Sequence, residues 1–281
     1  MPLPPPGDPI RADLSGKVVL VTGATGGLGT ELARACAAAG ATVALHGRVV
    51  RKLEALYDSI VAAGHPEPTI LPLDFLQAGA QDFHGAATAI ERQLGRLDAL
   101  VHTAALLGSL GPIEHQAFDR WLDVLRVDLA VPMGLTRALS ALLMQAPDAS
   151  VVFTLDTRGI APRAYWGAYA AAKAGLAALA ATLADEWENR ATLRVNAVVP
   201  GPMHSPLRTL SHPGENKRAL PKPAQLVPLY LHLIAGQPKV ESGVLVDASA
   251  WLRGEAATTP LIPPGSATSL SGGSPLAGSR P

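Results

Sequence analysis

A single cysteine, Cys36, is all the thiol chemistry that this chain of 281 residues carries. One thiol excludes an internal disulfide, and its place among alanines (ARACAAAG, Ala33–Gly40) suits a buried side chain in a reducing compartment. Neither charge sign is in excess: Lys plus Arg and Asp plus Glu number 23 each, and aromatics make up only 4%. No basic run is interleaved with aromatic residues, so a nucleic-acid partner is not expected. No apolar stretch reaches the roughly 18 charge-free residues of a membrane span, and the start, MPLPPPGDPI, lacks the basic-then-apolar order of a signal peptide. A cytoplasmic protein is expected. Several catalytic templates are also missing. The stretch Gly108–Gly111 reads GSLG rather than a G-x-S-x-G elbow, and the 8 histidines include no H-E-x-x-H, so no metal site is expected.

What is present is organised around Lys17–Gly40, KVVLVTGATGGLGTELARACAAAG. A β-branched run, a glycine-rich turn and a run of small apolar residues at helical spacing read as strand, tight turn and helix. Gly23 permits the sharp exit from the strand, Gly27 lets the backbone approach a pyrophosphate, and Gly29 brings helix and sheet close together. The unpaired N–H groups at the helix start would face that pyrophosphate. A Walker-type loop needs Gly-Lys-Ser/Thr at its end, but Gly29 is followed by Thr30 and Glu31. The bland alternative is a glycine-rich surface turn.

Further strands are expected at Ala41–His46, Thr69–Leu73, Leu97–His102, Ser150–Leu155, Leu193–Val198 and Gly243–Val246. Helices are expected at Val49–Ala63, Ala80–Leu94, Phe118–Gln145 with an interruption or kink near Pro132, Ala164–Asn189 and Pro223–Ile234. Strands alternating with helices imply a parallel sheet covered on both faces. Residues 1–14 read as a flexible arm, 15–250 as one α/β domain, and 251–281, rich in Gly, Pro and Ser, as a disordered tail.

A dinucleotide fold that takes NAD places an acid after its second strand. Here that turn reads His46, Gly47, Arg48, with Arg51 and Lys52 following. A guanidinium suits a ribose 2′-phosphate, so the turn points to NADP(H) in preference to NAD(H), unless the arginines are only solvated charges. Asp74 either meets the adenine amino group or caps the next turn. Tyr169 and Lys173 lie four apart on the Ala-rich helix and project from one face.

TGATGGLG (Thr22–Gly29), YAAAK (Tyr169–Lys173) and VNAVVPG (Val195–Gly201) occur in an order and spacing that resemble the short-chain dehydrogenase/reductase family. The resemblance spans about 17–247 and looks most like bacterial 3-oxoacyl-reductase-like members. It implies a single Rossmann-type, doubly wound parallel sheet of about seven strands. It implies a cofactor site drawn from Thr22, Gly23, Thr25, Gly27, Leu28, Gly29, Arg48, Asp74, Thr103, Ala104, Lys173, Pro200 and Gly201. Tyr169 would exchange a proton with the substrate oxygen while hydride moves to or from the nicotinamide, and Lys173 would stabilise the tyrosinate. Residues 202–220 would form a mobile substrate lid, with His204 and His212 either touching substrate or lying on its surface. A small carbonyl or alcohol substrate and a homodimer or homotetramer are implied.

Three positions depart from the family pattern. Its orienting serine falls on Asp156, its relay asparagine on Asp128, and its Asn-Asn-Ala-Gly stretch reads His102, Thr103, Ala104, Ala105. Two readings therefore stand: an NADP-dependent oxidoreductase with atypical acids in its site, or an NADP-binding, catalytically impaired relative with a regulatory or structural role.

Overall fold

A computed structural model describes residues 3–6, 12–236 and 240–262. The glycine-rich segment forms β1 (Val18–Thr22) and α1 (Gly27–Ala38). There follow β2 (Thr42–Gly47), α2 (Val50–Ala62), β3 (Thr69–Pro72), α3 (Ala80–Leu94) and β4 (Ala99–His102). The second half holds α4 (Phe118–Leu125), α5 (Val131–Gln145), β5 (Ala149–Thr154), α6 (Thr157–Ile160), α7 (Gly167–Glu186) and β6 (Leu193–Val199). It continues with α8 (Pro206–Ser211), α9 (Val227–Ala235), β7 (Val244–Asp247), α10 (Ala248–Leu252) and β8 (Thr258–Pro260).

The strands make one eight-stranded sheet in the order β3-β2-β1-β4-β5-β6-β7-β8. Seven run parallel, as expected, and β8 adds an antiparallel edge. The chain winds outward from β1 to β3, then crosses back to β4, so the loops after β1 and β4 diverge and leave a crevice at the strand carboxyl ends. Alternate residues of each strand feed opposite layers. Val19 and Val21 pack with α1, α2 and α9, while Val18 and Leu20 pack with α3, α5 and α7. Double burial explains why VVLVT carries no polar alternation.

The Phe118–Gln145 region, expected to be interrupted or kinked near Pro132, is interrupted just before it by a π turn at Arg126–Ala130 whose Val131 N–H reaches back five residues to the Arg126 carbonyl, and three other expectations are corrected. Pro132 lacks an N–H and fits at the start of α5, where no intrahelical partner is lost. The expected Ala164–Asn189 helix begins only at Gly167, because Tyr165 takes a left-handed conformation (φ 75°) and its carbonyl accepts from Gly111 N–H. A helix, α10, straddles the boundary drawn at 250, and a strand, β8, lies beyond it. Trp251 is 3% exposed and its indole N–H donates to the Pro4 carbonyl at 2.6 Å, so part of the N-terminal arm also packs. Residues 1–2, 7–11 and 263–281, the rest of the arm and tail, lie outside the described residues.

Two helical stretches, Phe118–Gln145 and Gly167–Glu186, are long and apolar enough to cross a membrane. In the fold they pack against the sheet and against each other, so their hydropathy is accounted for by the core. Trp251 joins both chain ends to that core. Trp251→Ala should lower stability by about 3 to 5 kcal/mol, the usual range for emptying such a site, as read by urea unfolding.

Candidate active site

At the crevice lies a cleft of about 880 Å³. Its phosphate-side wall is the β1–α1 turn. Gly23 is left-handed (φ 66°), and a Cβ there would stand 2.8 Å from the Ala104 Cα. At Gly29 a Cβ would stand 2.2 Å from the Gly23 carbonyl oxygen, so only glycine lets α1 approach the end of β1. Gly27 has more room: a Cβ there would meet Pro206 of α8 at 3.4 Å. The first helical ladder bond runs from Thr30 N–H to the Gly26 carbonyl, and no side chain caps Gly26. The N–H groups that open α1 are therefore turned to the cleft, which Thr25, Gly27, Leu28 and Gly29 all line.

Thr22 lies beneath this wall and does not line it. Its hydroxyl accepts from Thr103 and Ala104 N–H at 3.1 and 3.3 Å, and its carbonyl accepts from the Thr103 hydroxyl at 2.5 Å. It ties the β4 loop to β1. Thr103 and Ala104, in that loop, do line the cleft.

Beyond the glycine turn, Arg48 and Lys52 reach the cleft, whereas Arg51, between them, does not. Asp74 lines it too, with one carboxylate oxygen accepting from Leu76 N–H at 3.1 Å, so this acid does cap its own turn. His46 holds the corner together. Its Nδ1 accepts from Gly23 N–H at 3.1 Å, its Nε2 donates to the Leu73 carbonyl at 3.1 Å, and its ring stacks on Phe75 at 3.9 Å. The two bonds require the neutral ring, and burial pulls its pKa down to about 4.

At the opposite end the residues expected to be catalytic converge. Tyr169 and Lys173, one turn apart on α7, are both buried but line the cleft. The Tyr169 hydroxyl donates to the Asp156 carboxylate at 3.3 Å. The other oxygen of Asp156 caps α6, accepting from Arg158 N–H at 2.8 Å. The Lys173 ammonium stands 3.4 Å from the Asp128 carboxylate and 3.3 Å from the Thr154 carbonyl. Asp128 lies in the π turn, fully buried, and also accepts from Leu106 N–H at 2.7 Å. Burial pushes Asp128 up to about 6 against the pull of Lys173. Burial first, and then the charges of Asp156 and Asp128, hold the Tyr169 phenol well above its ordinary value.

Pro200 and Gly201 follow β6 on the floor of the cleft. Gly201 is left-handed (φ 70°), and the Ser249 hydroxyl occupies the place of a Cβ. The segment expected as a lid carries α8, capped by Ser205 and braced by a bidentate Arg208–Glu215 pair at 2.6 Å. Of its histidines, His212 stands against Trp166 at 5.8 Å, and His204 is exposed and does not line the cleft.

The family model for short chain dehydrogenases matches residues 17–216. The chain belongs to the short-chain dehydrogenase family. It is 37% identical over 235 residues to the uncharacterized oxidoreductase YciK of Escherichia coli K12, covering 84% of this chain and 92% of that one. Among solved structures it matches a short chain dehydrogenase of Escherichia coli CFT073 complexed with NADPH, at 37% identity and TM-score 0.82, covering 85% of this chain and 99% of that one. One of Shigella flexneri complexed with NADP matches at 36% identity with the same TM-score and coverage.

Several residues of this short-chain dehydrogenase site went unread in the sequence. His46 was seen only as the lack of an acid, although a histidine inside an apolar strand signals a ring that must find partners. His102 is similar: its Nε2 meets the Thr136 hydroxyl at 2.9 Å and its ring stacks on Phe153, and burial, then Lys173 and His46, pulls it down to about 3. Lys52 is one helical turn from Arg48, a spacing that was legible.

Both histidines fold neutral but unfold with values near 6.5, so below that pH the unfolded chain binds more protons. Each contribution is fully present above about pH 6.5. Each is then lost at about 1.4 kcal/mol per pH unit as pH falls, toward about 4 for His46 and about 3 for His102. Asp128 acts oppositely, losing its contribution as pH rises toward about 6. Replacing His46 with Gln should remove about 1.4 kcal/mol per pH unit from the stability slope between pH 6.5 and 4, measured by urea unfolding across that range.

Proposed function

We propose that the chain is an NADP(H)-dependent reductase of ketones. The observation that carries this reading is the convergence of a buried Tyr169 and a buried Lys173 at one end of a cleft whose other end presents Arg48 and Lys52. The residues fit the cofactor: an uncapped helix start for a pyrophosphate, two cations for a 2′-phosphate, and a volume suited to a dinucleotide. NADPH, when bound, supplies the hydride. Tyr169 delivers the proton to the oxygen of the reduced carbonyl, Lys173 offsets the negative charge left on the phenol, and Asp128 and the Thr154 carbonyl hold that ammonium in place. Pro200, Gly201 and α8 keep water from the reacting atoms.

Asp156 supports a second reading, in which the chain binds NADP(H) and turns over poorly. Its carboxylate takes the Tyr169 hydrogen bond that a substrate oxygen would need, and a neutral serine donor is absent. A fluorescence titration with NADPH and NADH, followed by assays on a ketone panel, separates the two readings. The reductase should prefer NADPH, and Arg48→Ala should weaken NADPH binding more than NADH binding, with the difference shrinking at high salt. Tyr169→Phe should lower turnover by roughly 100- to 10,000-fold while cofactor still binds. Asp156→Ser should raise ketone reduction at neutral pH. Binding of NADPH without turnover in the wild type would establish the second reading, and turnover gained in Asp156→Ser would identify Asp156 as its cause.

A further inference from the structure

We infer that the substrate carries an anionic group, a carboxylate or phosphate ester, which Arg158 receives at the mouth of the cleft. The inference rests on the reading of this cleft as a carbonyl reductase site and names its substrate class. Three arginines line the substrate side of the cleft. Arg208 is forked onto Glu215 and Arg120 is paired with Asp123. The guanidinium of Arg158 has no acid or other hydrogen-bond acceptor among the described residues; its backbone N–H alone is engaged, on Asp156.

That guanidinium is nevertheless held in place. It lies 5.1 Å from the centre of the Trp166 ring, and Trp166 in turn stands 5.8 Å from the Tyr169 ring. The indole is aimed there by the left-handed turn at Tyr165, whose carbonyl is fixed by Gly111 N–H. A bulky residue in that conformation is strained, and such strain persists where the surroundings require it. The ring engages the guanidinium without supplying a lone-pair acceptor, so its donors remain available to meet a planar or tetrahedral anion in paired hydrogen bonds. The lid closes the same patch from the other side, where His212 meets Trp166. Burial first, and then Arg208 and Arg158, hold His212 below its ordinary value against the opposing pull of Glu215 and Asp156, so the Arg158 charge is felt across this patch.

Asp156 sets where on the substrate the negative group belongs. Its carboxylate sits at the reacting end, bonded by Tyr169, and repels an anion attached directly to the carbonyl carbon. The anionic group is therefore separated from the carbonyl by several atoms.

Dead-end complexes test this without turnover, because an oxidised cofactor cannot reduce a ketone. Calorimetric titration of the NADP⁺-saturated full chain would use 4-oxopentanoate, 5-oxohexanoate and 6-oxoheptanoate, each against its methyl ester. Dihydroxyacetone phosphate against dihydroxyacetone forms the phosphate arm and tells a carboxylate from a phosphate ester. At least one anion should bind tenfold or more tightly than its neutral counterpart, the ratio should fall as salt rises, and Arg158→Gln should bring it to twofold or less while Arg158→Lys keeps part of it. Ratios near one throughout the panel, or a tenfold ratio that survives Arg158→Gln, would overturn the inference. The same ratio on cofactor-free protein decides it even if NADP(H) fails to bind, an outcome that would sink the cofactor reading instead.

Discussion

The buried ammonium of Lys173 is the constraint around which the site is assembled. A cation that is 2% exposed has lost most of its hydration and must be met by acceptors. Two are supplied from different elements: the Thr154 carbonyl at the end of β5 and the Asp128 carboxylate in the π turn. The π turn matters because a regular helix through 126–130 would present residue 128 at a different angle; widening one turn re-aims it, and the Leu106 N–H then holds the carboxylate from the loop after β4. One lysine thus fixes the relation between β5, the interrupted helix, the β4 loop and α7.

Two carboxylates stand at the Tyr169–Lys173 pair, Asp156 on the phenol and Asp128 on the ammonium. Both charges act on Tyr169 in the same direction as burial, which holds the phenol well above its ordinary value. The α6 cap adds geometry to this: Asp156 is anchored by Arg158 N–H through one oxygen and receives Tyr169 through the other. A carboxylate bound from both sides is not free to swing away.

The cofactor end depends on close backbone approach instead of charge burial. Gly29 against the Gly23 carbonyl and Gly23 against Ala104 bring α1, β1 and the β4 loop within distances that no side chain allows. The His46 ring then joins that turn to the end of β3 through two hydrogen bonds. The cleft walls are rigid because neutral, buried groups span three strands.

Much of this was written locally. The β1–α1 segment, the bounds of Ala80–Leu94, the parallel alternation and the one-turn spacing of Tyr169 and Lys173 follow from periodicity and from where glycine occurs, both properties of neighbouring residues. The family motifs likewise lie in short runs, and Arg48 was legible as a cation where an acid is usual. Other features depended on partners far along the chain. Asp128 could be read as a substitution but not as a buried ion pair, since the π turn that aims it answers to Lys173, 45 residues on. Trp251 lies in a stretch of polar, turn-forming composition, yet it packs into the apolar core and its N–H is accepted by Pro4, far back along the chain. Arg158 was one of several arginines until Trp166 and the paired states of Arg120 and Arg208 set it apart. Local pattern determines which elements form and which face each presents; the pairing of buried charges and the closing of chain ends are decided only when distant segments compete for the same acceptors.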